Sequence, residues 1–173
     1  MTAHVNPPRP SELWKSLSEE RRMDAARAFW EDEQAFAEQA EVIGLVAKQI
    51  NFRPKSVLAM PVDKKVVHLT RMARVSDSVA ARLLVSYHLA QQRPMMAAFL
   101  DSLGIKHEDG LIADDDVKPA DPAALADAGR RLLAAYPPDD VRLYFSTLLM
   151  QDPETWGALH GLTAEPESSP VQP

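Results

Sequence analysis

Apolar positions recur along most of the chain at steps of three and four, the spacing of helices that bury one side. From Glu33 to Asn51, Phe36, Ala40, Ile43, Ala47 and Ile50 trace one stripe, and Val42, Leu45 and Val46 widen it; the pattern predicts a helix buried on more than one side. From Asp77 to Gln91, Val79, Leu83, Tyr87 and Ala90 make one face and Ala80, Leu84 and His88 an adjoining one, which predicts the hub of the fold, N-capped by Ser76. The interior prolines Pro54, Pro61, Pro94, Pro119, Pro122, Pro137, Pro138 and Pro153 mostly stand just before such periodic stretches, where a missing N–H costs nothing. They predict helices from Pro54, from Pro61 (with Val62, Val66, Leu69 and Met72 on one side), and over Pro94–Leu103, Pro122–Tyr136, Pro138–Met150 and Pro153–His160. Two more helices are expected from Glu12 and after the capping residue Ser18. Gly104 and Gly161 follow periodic segments directly, as left-handed cap residues do.

Strand alternation is nearly missing, and the pair Asp109-Gly110 lies in an acidic stretch without flanking alternation. The expected fold class is therefore all-α: a compact irregular bundle of about eight or nine helices, with a short α-solenoid as the alternative. The expected organisation is a single helical domain over residues 11–162, a mobile N-terminal segment at 1–10 and a mobile C-terminal tail at 163–173, because proline-rich ends without periodicity cannot repay the entropy of ordering. Residues between Ile105 and Ala120 read as the longest loop. Trp14 and Trp30 are expected to clamp the first helices and Trp156 to anchor the last.

Composition narrows the chemistry. The 173 residues include no cysteine, which excludes disulfides, thiolate metal sites and cysteine nucleophiles. No apolar stretch approaches the roughly 20 residues of a membrane span, and the start has no signal-peptide character, so no membrane association and a cytoplasmic location are expected. A net charge of −6 is unevenly spread: −3 over Met1–Phe52, +6 over Arg53–Arg93 and −9 from Pro94 on.

The basic middle has two readings. Lys64, Lys65, Arg71, Arg74, Arg82 and Arg93 make a candidate anion or nucleic-acid face. The same residues are also placed to pair with Glu31, Asp32, Glu33, Glu38 and Glu41, or with the acids of the later loop. Within this stretch Leu69–Leu84 reads LTRMARVSDSVAARLL, and its Val75-Ser76, Val79, Arg82 and Leu83 spacing resembles the helix-turn-helix of lac-repressor-type regulators. The resemblance covers sixteen residues. It implies a DNA-binding element over residues 69–91, with Arg74, Asp77, Ser78, Ala81 and Arg82 facing the duplex. Arg74 stands where that family usually has glycine, and the second helix is strongly apolar.

Nucleotide-binding, metalloprotease and serine-hydrolase motifs are absent, and none of the histidines 4, 68, 88, 107 and 160 lies three or four residues from another. No cofactor, catalytic residue or metal ligand is assigned. His88 reads as a hydrogen-bonded core histidine. Glu108, Asp109 and Asp114–Asp116 of the acidic loop 108–121, with His107 just before it, offer ligands for a divalent cation without the spacing of a calcium loop. Met95 and Met96 beside Phe99 offer an adaptable apolar surface for a protein partner, or core packing.

The leading expectation is a non-enzymatic helical protein-interaction module that binds itself, as a homodimer, or another protein. A helix-turn-helix DNA-binding protein is the alternative, and an enzyme or divalent-metal binder on an α scaffold, using a pocket lined by His68, His88 or the loop acids, is the third.

Overall fold

The computed structural model describes residues 6–113, 117–118 and 121–164. These hold ten α-helices and one two-stranded hairpin, so the fold class is all-α. They fall into two compact units, Pro8–Arg93 and the stretch from Pro94 on. The expected terminal segments lie mostly outside the described residues, as do Asp114–Asp116 and Pro119.

The first unit contains α1 (Pro10–Ser16), α2 (Glu19–Glu31), α3 (Phe36–Ile50), α4 (Pro54–Leu58), α5 (Val62–Thr70) and α6 (Asp77–Gln91), with a 3-10 turn at Glu33–Ala35. Proline at the first helical position opens α1 at Pro10, two residues earlier than the expected start at Glu12. Ser18 and Ser76 cap α2 and α6 as expected, their hydroxyls accepting from the N–H groups of Arg21 and Val79 at 3.2 Å. The middle of the unit is α2, which packs on both α5 and α6. Its buried positions Ala25, Ala26 and Phe29 are fully covered, the alanines keeping the helix surface low enough for close approach. As expected of a hub, α6 buries Val79, Ala80, Leu83, Leu84, Tyr87 and His88, while Ala90 stays exposed.

The helix α3 departs from expectation. Its buried residues are Val42, Val46 and Ala47, whereas Phe36 is 78% exposed and Ala40 faces water. The buried line is turned about a quarter of a revolution from the periodic stripe. Helices α4, α5 and α6 cover only one side of α3, and of the stripe Phe36 and Ala40 are left exposed while Ile43 and Ile50 are half-buried. The helix closes with Asn51 in the left-handed region at φ 57°, and the N–H of Phe52 returns to the Ala47 carbonyl at 2.9 Å.

The second unit holds α7 (Arg93–Ser102), α8 (Pro122–Ala135), α9 (Pro138–Gln151) and α10 (Pro153–Trp156), the last continued by a 3-10 turn at Gly157–Leu162. Phe99 is its aromatic centre, with ring centroids 5.8 Å from Tyr144, 5.3 Å from Phe145 and 6.1 Å from Trp156. Gly161 lies inside the 3-10 turn without a positive φ, so it is not the expected left-handed cap; Gly104, at φ 68°, is one. The expected loop after Ile105 contains a hairpin, β1 (His107–Glu108) paired antiparallel with β2 (Leu111–Ile112). Asp109 and Gly110 both take positive φ, the turn geometry that Asp-Gly supports even between strands too short to show alternation.

Close packing of α8 on the last turn depends on Gly129, where an added Cβ would stand 2.7 Å from Leu162 Cδ1 and 3.1 Å from Leu159 Cδ2. Replacing Gly129 with Val is expected to destabilise the chain by about 1–3 kcal/mol through overpacking, measured as a lowered denaturation midpoint.

Candidate functional site

The six basic residues singled out in the sequence have different surroundings. Lys65 Nζ stands 5.0 Å from the centroid of the Trp30 ring and donates to the Leu58 carbonyl at 3.4 Å. Arg82 Nε lies 3.8 Å from Glu38 Oε1, one of the acids expected to pair internally, and Arg93 is half-buried. Lys64, Arg71 and Arg74 face water.

The segment that resembles a helix-turn-helix departs from that template in two places. Six residues, 71–76, separate α5 from α6, and Arg74 does not take the positive φ that a tight turn asks of glycine. The start of α1 also sits on the start of α6. The Asp77 carboxylate accepts from the Ser11 N–H at 3.2 Å and from Arg9 Nη2 at 3.1 Å. These hydrogen bonds, Ser11 first, hold the Asp77 carboxyl below its usual range. Of the other residues assigned to the duplex, Ser78 is exposed and Ala81 half-buried.

The Met95, Met96 and Phe99 expectation needs correction. Their exposures are 1%, 7% and 1%, so they are core residues and offer no surface to a partner. Two methionines beside an aromatic look the same in sequence whether the helix faces outward or inward; the rings of Tyr144, Phe145 and Trp156 around Phe99 decide the direction.

His88 is buried, and burial, with a smaller contribution from Arg21, lowers its proton affinity to a pKa of about 3, so the ring is neutral. His107 is a hairpin clamp. Its Nδ1 accepts from the Gly110 N–H at 3.0 Å and its Nε2 lies 2.8 Å from Asp101 Oδ1. Among the described residues no three His, Asp or Glu side chains gather as metal ligands, and Asp114–Asp116 of the acidic loop lie outside those residues.

Two surface features of the first unit stand out. Along α3 the residues Phe36, Ala37, Ala40, Glu41, Leu45 and Lys48 are exposed on the side turned from α6, and Gly44 sits among them with nothing within 4 Å of where a Cβ would be. Phe52 and Leu58, just beyond this helix and at the end of α4, are 53% and 59% exposed. The periodic stripe and its widening contained Phe36, Ala40 and Leu45 of this face, but they read as core because neighbours can be seen only in three dimensions. The second feature is a cleft of about 400 Å³ walled by Trp14, Lys15, Glu19 and Arg22 on one side and by Thr70 and Arg71 on the other. Neither His68, His88 nor the acids of the hairpin line it. Arg71 was legible as a candidate, but Lys15 and Arg22 were not, because they lie some fifty residues away in a segment of net negative charge. Comparison with known protein families, with curated proteins and with solved structures finds no match for this chain.

Proposed function

We propose that the chain is a helical protein-interaction module that pairs with a second copy of itself along α3. The observation that carries this reading is Gly44. Glycine in a helix interior costs about 1 kcal/mol relative to alanine, and within one chain nothing occupies the space that a Cβ would fill. A close helix approach from outside accounts for the residue, as it does for Ala37 and Ala40 on the same face. The occupant is named by symmetry and charge. In an antiparallel pair crossing at Gly44, Ala40 and Glu41 lie beside the partner's Lys48, and Glu38 in the first turn of the helix lies toward the partner's last turn. The acidic start of α3 thus faces the basic stretch that ends it, which fixes the antiparallel direction.

Sedimentation equilibrium tests the pairing. The wild type is expected to dimerise at micromolar concentration, and Gly44→Leu to be monomeric with unchanged helicity. Glu41→Lys and Lys48→Glu are each expected to weaken the dimer about tenfold, and the double exchange to restore it. A wild type that remains monomeric, or a dimer indifferent to Gly44→Leu, overturns the reading.

A further inference from the structure

We infer that the cleft between α1–α2 and the α5–α6 connection is a binding site for a small molecule carrying a phosphate group. Lys15, Arg22 and Arg71 surround it. This chain has 25 acidic side chains against 19 basic ones, yet none of the three cations has a carboxylate within ion-pair distance among the described residues. Elsewhere in the same unit Arg9, Arg27 and Arg82 each have one, at 3.1, 2.6 and 3.8 Å. The Nε of Arg22 is buried without an acceptor. A buried guanidinium N–H left unmet is costly, and an oxyanion in the cleft that Arg22 lines would offset the uncompensated charge of this guanidinium.

Charge and volume define the class of ligand. With Glu19 on the same wall, the lining carries a net charge of about +2, which matches a phosphate monoester, at about −1.5 to −2 near pH 7, better than a single carboxylate. Space of about 400 Å³ is the size of a small-molecule pocket. Trp14, 2% exposed, forms an apolar wall that lowers the local dielectric and strengthens the attraction. The cleft shares no residue with the proposed α3 pairing face, so either conclusion stands if the other fails.

The test follows the Arg22 Nε–H signal by proton–nitrogen NMR while inorganic phosphate is added at constant ionic strength. A saturable shift is expected. The Lys15→Ala/Arg71→Ala double variant, altered only at exposed positions, is expected to weaken binding at least tenfold, and Lys64→Ala, outside the cleft, to leave it unchanged. No saturation, an equal response to acetate, or undiminished binding by the double variant overturns the assignment.

Discussion

Replacing Phe99 with Ala is expected to lower the free energy of unfolding by about 3–5 kcal/mol, the range for removing a fully buried aromatic ring and leaving a cavity. Phe99 is 1% exposed and touches the rings of Tyr144, Phe145 and Trp156, so its loss strips contacts from α7, α9 and α10 together. Edge-to-face geometry with Tyr144, at an interplanar angle of 87°, adds to the area that is lost. Phe99→Leu, which keeps most of the volume, is expected to cost markedly less. Urea titrations of both variants, with hydrogen exchange of the α9 amides, measure the difference. Equal destabilisation by Ala and Leu would show that the aromatic cluster does not organise this unit.

The second large effect is on pH dependence. His88 has a folded pKa of about 3 because burial disfavours its charged form, while an unfolded histidine titrates near 6.5. Between these values the unfolded chain binds the extra proton, so stability falls as the pH is lowered, by about 1.4 kcal/mol per pH unit. From pH 6.5 to pH 5 the expected loss from His88 is about 1.6 kcal/mol, the slope at pH 6.5 being half its full value. Asp77 and Asp152, held below the usual carboxylate range by hydrogen bonds, act in a lower window: their stabilising contribution is complete above the unfolded carboxylate pKa and is lost on further acidification. The interval above pH 5 therefore isolates the histidine. Unfolding free energies of the wild type and of His88→Leu, with His88→Gln as a second variant, should show a slope in the first that is missing from the others. An unchanged slope in both variants would assign the acid sensitivity to another group.

Much of the helical layout was legible because its signals are local. Pro54, Pro122, Pro138 and Pro153 occupy the first position of their helices, the Ser18 and Ser76 hydroxyl oxygens accept from N–H groups of the turn that follows each, and Gly104 takes the left-handed conformation that only glycine adopts without cost. The burial of α6 was legible too, since two adjoining apolar faces leave little helix surface for water. The hairpin was missed because two-residue strands are too short for a period of two to show.

The candidate sites were legible only in part. Charge segregation marked Arg71, but nothing along the chain relates it to Lys15 and Arg22, which reach the same cleft because the chain folds α1 and α2 beside the α5–α6 connection. Met95, Met96 and Phe99 had the composition of a binding surface and became core when rings from α9 and α10 closed over Phe99. Periodicity states that a helix has an apolar side; it does not state whether another element will cover it. For α6 and α7 neighbours did so. For α3 they covered the line of Val42 and Val46 and left Phe36, Ala40 and Leu45 to water. Helix identity, start and cap are set by residues within a turn of one another, and so are written in the chain; which cations share a cleft and which apolar face stays open depend on long-range packing and had to be read from the fold.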